Sequence, residues 1–336
     1  VRGLDRFDAL AEDLGPRATR HKPLGPLTTY GVGGPAALVV EIEGPDDVEP
    51  VRAVLQGSGV PICVIGRGSN LLVADAGFEG VAVHLGPGFN WIRLPEPARH
   101  REPALESDPG SEGLPPLVTV GAATPLPVLA RRAAEAGWAG LTWAVGVPGS
   151  VGGAVRMNAG GHGADMAGCL RRYTWVDLSS DAGAIDDASH LDYGYRSSSV
   201  GPAQLVLEAE LAVTLGDAGA EQAALTSIVR WRRAHQPGGS NAGSVFTNPP
   251  GDPAGKLIEE AGLKGFRLGT AQVSEKHANF IQADTGGRAD DVVALMGLVR
   301  ARVEAQFGVA LSAEVRLLGF EAGETDGMFH PESGRQ

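Results

Sequence analysis

The stretch G-V-P-G-S-V-G-G-A-V-R-M-N-A-G-G, residues 146–161, says more about the fold than any other part of the chain. Pro148 fixes one backbone torsion and Gly149 frees the next. Gly152 and Gly153 carry no side chain, so a ligand can lie against the backbone there. N-A-G-G-H-G, residues 158–163, adds a second crowded-backbone site. Outward from this stretch, G-R-G-S-N-L, residues 66–71, follows an apolar strand in another unit. Its glycines permit a tight turn whose N–H groups converge on an anion, and Ser69 and Asn70 can add side-chain bonds. It lacks the G-K-[ST] ending of a P-loop and does not open a helix as G-x-G-x-x-G does. Each string alone also reads as an ordinary turn. Glycine is costly where it is idle, so the clusters together suggest a long, flat cofactor held by main chain across a seam.

Composition narrows the class. A chain of 336 residues suits two or three domains with a real core. Its 49 glycines show no G-X-Y period, which excludes collagen. A net charge of -12 argues against a nucleic-acid partner, which needs a basic patch or groove. No apolar run is long enough for a membrane span and the N-terminus shows no signal-peptide pattern, so a cytoplasmic protein is expected. Cys63 and Cys169 read as separate buried thiols. With no H-E-x-x-H, no C-x-x-C and no tight carboxylate cluster, no metal site is expected.

The pattern along the chain is α+β. Residues 1–25 read as an irregular arm. Strands are expected at 38–42, 60–65, 71–73 and 81–85, with a helix from Asp46 or Asp47 to about residue 56. Residues 99–116 are polar and proline-rich, a surface excursion. A strand at 117–121, a helix at 125–136 and strands at 172–178 and 204–212 follow. Helices at 221–233, 252–261 and 289–307, with strands at 278–282 and 315–318, make a third α/β unit. The expected division is 1–88, 89–209 and 210–320, with a loose tail at 321–336.

Three islands carry chemistry. N-A-G-S-V-F-T-N-P, residues 241–249, holds Ser244 in a polar turn. It is no G-x-S-x-G elbow, but a positioned serine can donate a proton where water is excluded. A turn or cap serine is the plain alternative. Y-G-Y-R-S-S, residues 193–198, presents Arg196, which can hold a carboxylate bidentately or simply pair with a surface acid. Glu314, in L-S-A-E-V-R-L-L, is either desolvated and protonated or paired with Arg316 or Lys264. His235 and Arg232–Arg233 end a helix, where they can meet a diphosphate or the helix C-terminus.

Taken in order, these islands resemble the UDP-N-acetylenolpyruvoylglucosamine reductase family of flavoenzymes. The matching strings are T-T-Y-G-V-G-G (28–34), R-G-S-N-L-L (67–72), the 146–161 stretch, Y-G-Y-R-S-S, N-A-G-S-V-F-T-N-P, L-I-E-E-A-G-L-K-G (257–265), V-S-E-K-H-A-N-F (273–280) and A-E-V-R-L-L-G (313–319). They cover most of residues 25–320. The resemblance implies a two-lobed FAD-binding domain of the vanillyl-alcohol-oxidase (PCMH) type plus a C-terminal α/β substrate-binding domain. Gly66, Arg67, Gly68, Ser69, Asn70 and Leu71 would hold FAD, without a covalent link, together with Gly146, Val147, Pro148, Gly149, Ser150, Gly152, Gly153, Asn158, Ala159 and Gly160. Arg196, Ser244 and Glu314 fall on catalytic positions, and Tyr195 and Asn248 on substrate-contacting ones. Lys256 and Glu260 lie in the segment facing the sugar nucleotide.

The implied reaction takes hydride from NADPH through FAD to C3 of the enolpyruvyl group of UDP-N-acetylglucosamine enolpyruvate. Arg196 and Glu314 would stabilise the aci-carboxylate and Ser244 would protonate C2, giving UDP-N-acetylmuramate for peptidoglycan. The family also suggests a monomer. Residues 205–240 lack the tyrosine-bearing loop that one branch closes over the substrate, so the other branch matches better. His235 stands where that branch has lysine, and Thr247 where lysine is also common. Histidine is only partly charged near neutrality, which implies a weaker or more pH-dependent grip on diphosphate or NADPH unless Arg232 or Arg233 compensates. Two alternatives stay open: an FAD-dependent oxidase or dehydrogenase of the same fold, and a nonenzymatic nucleotide-sugar binding protein.

Overall fold

A computed structural model describes residues 5–96, 115–325 and 328. Most of the expected 99–116 excursion, and residues 326–327 and 329–336 of the expected tail, lie outside the described residues.

The run A-A-L-V-V-E-I forms the strand Ala36–Ile42, buried at all but Glu41. Apolar side chains on both faces suit a strand covered on both sides. It lies between Ala18–Arg20, antiparallel, and Phe78–Leu85, parallel; Ile62–Ile65 completes the sheet beside Phe78–Leu85. The helix Val48–Leu55 links two of these strands and buries Val48, Val51 and Leu55. Where the sequence reading placed an irregular arm, a helix runs Arg6–Leu14. Asp5 caps it by accepting the Phe7 N–H at 2.8 Å, and Phe7, Leu10 and Leu14 supply a helical stripe packed on the same core.

The second lobe is an antiparallel five-stranded sheet in the order Gly183–Asp187, Leu170–Asp177, Gln204–Ala212, Leu117–Gly121, Ile92–Arg93. The helix Leu126–Glu135 covers it, burying Leu126, Leu129, Ala130 and Ala133. Inside the glycine stretch a short helix, Val151–Met157, ends at Asn158 in the left-handed conformation. The helix Ala218–His235, which the expected boundary at 210 assigns to the third unit, contributes Leu225, Ile228 and Val229 to the core of this second lobe.

The remaining unit joins a small sheet, Arg267–Leu268, Ala271–Val273 and Ile281–Ala283, to the helices Ala254–Glu260 and Ala289–Phe307. The last helix buries Val292, Leu295, Met296, Val299 and Val303 at helical spacing. Its core also takes in Tyr30, Val32 and Leu72 from the first lobe. The strand Arg316–Leu318 pairs in parallel with Leu71–Val73, tying the end of the chain back to the first lobe. Beyond it, where a loose tail was expected, a turn of helix spans Ala322–Thr325 and Met328 is buried in the third core. Among the described residues no helix is long and apolar enough to cross a membrane. Cys63 and Cys169 are both free.

Candidate active site

Gly194 and Ser197 exchange backbone hydrogen bonds at 3.1 and 3.4 Å, which makes Tyr195 and Arg196 the two central residues of a tight turn. Arg196 has φ +55°, a conformation that normally selects glycine. The strain holds because the side chain is fastened at three points. Arg196 Nη2 donates to the Gly160 carbonyl at 2.9 Å, Nη1 to the Asn158 carbonyl at 3.3 Å and Nε to Glu314 Oε1 at 3.0 Å. Asn158 in turn, at φ +41°, donates from Nδ2 to the Gly194 carbonyl at 2.9 Å and accepts the Ala167 N–H at 3.0 Å. The N-A-G-G string therefore supports the arginine turn directly.

Glu314 comes from the opposite side of the site. Its side chain is 14% exposed, and burial pushes its carboxyl above the ordinary range while the Arg196 charge opposes the rise. Its partner is neither Arg316 nor Lys264, as the sequence suggested: Lys264 pairs with Glu259 at 2.8 Å, and Arg196, distant in sequence, takes the place. The Glu314 N–H donates to the Val245 carbonyl at 2.8 Å, which sets Glu314 beside the segment bearing Ser244. Among the described residues the Ser244 hydroxyl has no hydrogen-bond partner, so no cap or turn bond occupies it. The loop is shaped by Gly243 at φ +80° and by Asn241, which accepts the Gly243 N–H at 3.0 Å. Arg196, Glu314 and the Ser244 segment are thus brought together from three distant stretches.

Beside them a cleft separates the two lobes. Val64, Ile65, Gly66, Arg67, His84 and Leu85 line one wall; Ala122, Ala123, Ser150, Gly152, Gly153, Arg156, Val200, Gln204 and Val206 line the other. A Cβ on Gly66 would lie 2.5 Å from Ser150 Oγ, so the walls meet closely only because residue 66 has no side chain. Gly68, at φ +55°, is pressed against the Leu27 carbonyl. Arg67 Nε donates to the Pro148 carbonyl at 3.1 Å, bridging the two glycine strings. Among the described residues the N–H groups of Arg67, Gly68, Ser69 and Asn70 have no acceptor, and neither do the hydroxyls of Ser69 and Ser150. Gly66 and Arg67 of this turn line the basic cleft, Gly68, Ser69 and Asn70 do not, and four free amides on one tight turn beside it suit a diphosphate-bearing group. The residues present therefore fit a dinucleotide such as FAD. Leu71, by contrast, is in the strand that pairs with Arg316–Leu318.

Other expected residues lie further out. Gly146 packs against the helix Ala218–His235, where a Cβ would stand 3.1 Å from Arg232 Cδ, and Val147 packs on the second core. Ala159 donates its N–H to the Ala154 carbonyl at 3.0 Å. Tyr195 is 63% exposed with Arg196 over its ring at 5.1 Å, leaving a broad aromatic face in solvent. Asn248 Oδ1 accepts the Ala254 N–H at 3.0 Å, starting the next helix. On that helix Lys256 pairs with Asp252 at 2.7 Å and approaches Glu260 at 4.0 Å, all exposed. His235 Nδ1 donates to the Trp231 carbonyl at 2.8 Å and its ring stacks on Trp231 at 4.7 Å. Two further positions at the site lie within quoted strings but were not singled out. Asn279 clamps the serine loop, with Oδ1 accepting the Phe246 N–H at 3.0 Å and Nδ2 donating to its carbonyl at 2.8 Å. Arg156 faces the cleft. An arginine within a glycine-rich string was the signal for the second; nothing local marks the first.

The family model for the UDP-N-acetylenolpyruvoylglucosamine reductase C-terminal domain matches residues 235–318, and one for an FAD binding domain matches residues 114–181. A UDP-N-acetylenolpyruvoylglucosamine reductase of Heliobacterium modesticaldum is 41% identical over 313 residues, 92% of this chain and 93% of that protein. UDP-N-acetylenolpyruvoylglucosamine reductase 2 of Symbiobacterium thermophilum is 39% identical, over 94% of this chain and 96% of its own. The crystal structure of the Thermus caldophilus UDP-N-acetylenolpyruvylglucosamine reductase superposes with a TM-score of 0.72 at 32% identity, covering 90% of this chain and 98% of that one. A VAO-type flavoprotein from Myceliophthora thermophila, 10% identical, shares the fold with a TM-score of 0.55 over 96% of this chain and 90% of its own. The architecture is therefore the expected FAD-binding domain of vanillyl-alcohol-oxidase type with a C-terminal domain, and the chain belongs to the UDP-N-acetylenolpyruvoylglucosamine reductase family.

Proposed function

We infer that the protein uses NADPH and bound FAD to reduce UDP-N-acetylglucosamine enolpyruvate to UDP-N-acetylmuramate, a step in peptidoglycan precursor synthesis. The observation that carries this reading is the 3.0 Å Arg196–Glu314 pair set beside the Ser244 loop at the end of an FAD-type cleft. Bound FAD supplies the two-electron chemistry between nicotinamide and enolpyruvyl group. The free amides at 67–70 and the glycine walls at 66 and 152–153 would hold it.

The chain's own groups account for the rest. Arg196 has five N–H donors, and three bonds to Asn158, Gly160 and Glu314 leave two for a substrate carboxylate. Reduction at C3 of the enolpyruvyl group leaves charge that spreads from C2 into that carboxylate. A guanidinium already fixed in place stabilises such charge without reorganising. Glu314, whose burial favours its protonated form, can share a proton with the same carboxylate. The unpartnered Ser244 hydroxyl is the proton donor for C2. A nucleotide sugar and NADPH place the reaction in the cytoplasm, and the family suggests a monomer.

The test follows NADPH oxidation anaerobically by the FAD-loaded protein, with and without UDP-N-acetylglucosamine enolpyruvate. Sustained turnover only with that compound is the expected result. Flavin reduction with no dependence on it would move the reading to an oxidase or dehydrogenase of the same fold.

A further inference from the structure

Two half-buried arginines, one lining the cleft and one on the strand beside the glycine turn, have no partner among the described residues. Arg156 comes from the helix Val151–Met157 and lines the cleft beside Gly66, Ser150, Gly152 and Gly153. Arg316 opens the strand Arg316–Leu318, and its N–H donates to the Asn70 carbonyl at 3.0 Å. Among the described residues neither guanidinium has a hydrogen bond or an ion pair. The two are near enough to repel: burial lowers the Arg316 pKa, and the Arg156 charge pushes the same way. Arg67 and His84 are the other ionisable residues lining the cleft, and no carboxylate lines it. Like charges withdrawn from water without a counterion are costly, so the arrangement calls for an anion.

Their position says which part of the cofactor supplies it. The Arg156 carbonyl accepts the Ser198 hydroxyl at 2.6 Å, two residues beyond Arg196 in the same segment. Arg316 is two residues beyond Glu314. Both arginines are therefore tied to the segments that carry Arg196 and Glu314, beside which the functional reading seats the redox-active ring. Hydride from NADPH, two electrons and one proton, converts the neutral oxidised ring to a singly anionic reduced one and leaves NADP+. Positive charge near the ring favours the reduced form.

We propose that Arg156 and Arg316 form a guanidinium pair that stabilises the anionic reduced flavin and so sets its reduction potential. This rests on the FAD-dependent reading above. The test is an anaerobic, dye-equilibrated redox titration of the FAD-bound protein as wild type, Arg156→Gln, Arg316→Gln and the double variant, with FAD affinity measured by flavin fluorescence. Each single Gln change is expected to cost about tenfold in preference for reduced over oxidised flavin, which is about 30 mV of potential. Where a Gln variant fails to retain flavin, Arg156→Lys or Arg316→Lys carries the test, and displacement of the charge is expected to lower the potential by part of that shift. An unchanged potential in every variant that binds flavin overturns the proposal. So does weaker FAD affinity at unchanged potential, which would give the pair to the diphosphate. No enolpyruvyl substrate is present, so a failure of substrate-dependent turnover bears on the functional reading alone.

Discussion

Asn279→Ala removes two hydrogen bonds from the serine loop without touching a reacting group. Asn279 is 3% exposed and grips both the N–H and the carbonyl of Phe246, at 3.0 and 2.8 Å. Its own carbonyl accepts the Val245 N–H at 2.9 Å. Alanine leaves both polar groups of Phe246 buried and unpaired, at a cost of about 1–3 kcal/mol each, or roughly 2–6 kcal/mol in all. Val245 also accepts the Glu314 N–H, so loosening this clamp disturbs Ser244 and Glu314, the proposed reacting groups, together. Misplacement by about 1 Å can cost about a hundredfold in rate. Stopped-flow measurement should therefore show NADPH reducing the flavin at nearly the wild-type rate, while oxidation by the enolpyruvyl substrate slows by about a hundredfold. Hydrogen exchange at the Phe246 amide should accelerate at least tenfold, the equivalent of about 1.4 kcal/mol. Unchanged exchange at Phe246 together with an unchanged substrate half-reaction would refute the clamp.

Three further outcomes are expected. Ser244→Ala should leave NADPH-dependent flavin reduction intact and cut the substrate half-reaction severely; with no side-chain bond lost among the described residues, stability should change by less than about 0.5 kcal/mol. Equal losses in both half-reactions would remove Ser244 from its role. Glu314 has a raised carboxyl pKa in the folded state, chiefly from burial, so the native protein binds a proton that the unfolded chain releases as pH rises past the ordinary value of 4.5. Its contribution is full below that value and is lost as pH rises through the folded one. Denaturation of wild type and Glu314→Gln across pH 4 to 8 should thus show the variant gaining relative stability toward alkaline pH, and a flat difference would contradict the burial argument. Cys169 is 7% exposed and burial pushes its thiol up to about 12. Against a free thiol near pKa 8.5 its thiolate fraction at pH 8 is lower by about three orders of magnitude. Disulfide-exchange reagents should modify it only after denaturation, and rapid labelling of the native protein would show that the site opens.

The repetitive parts of the fold were legible because period and polarity are local. The helix Ala289–Phe307 shows its stripe in sequence and keeps its expected bounds. The helix Arg6–Leu14 escaped because Gly, Pro and charge nearby outweighed a cap at Asp5 and three apolar positions at helical spacing. Met328 was no more visible, since its burial depends on a core assembled from residues 242 onward together with Tyr30, Val32 and Leu72. In the site, Arg196 stood out as a polar island, but not its left-handed backbone, which the bonds from Asn158 and to Gly160 enforce. Asn279 has ordinary apolar and polar neighbours; its importance lies in a contact with residue 246, which no local window contains.

The stitching of the chain explains why the reacting groups can come from such distant segments. Asn70 closes the glycine turn that starts at the cleft with Gly66 and Arg67, and its side chain donates to the Glu314 carbonyl at 3.1 Å while its own carbonyl accepts the Arg316 N–H at 3.0 Å. Three residue pairs of one parallel strand pairing follow at once, from Arg316 with Leu71 to Leu318 with Val73. The amide turn and Glu314 are therefore parts of one hydrogen-bonded ladder, though 244 residues separate them. On the other wall Arg67 reaches the Pro148 carbonyl, and the string that begins there ends in the Asn158 and Gly160 carbonyls holding Arg196. The short stretch from Arg67 to Asn70 is thus joined to both partners of the Arg196–Glu314 pair. Reacting groups must hold their geometry to a few tenths of an ångström, and elements fixed to a common turn meet that demand better than groups on independent loops. This connection makes the glycine turn a frame for the Arg196–Glu314 pair, and among the described residues it leaves one serine hydroxyl, that of Ser69, and four amides free in a segment otherwise so tightly held.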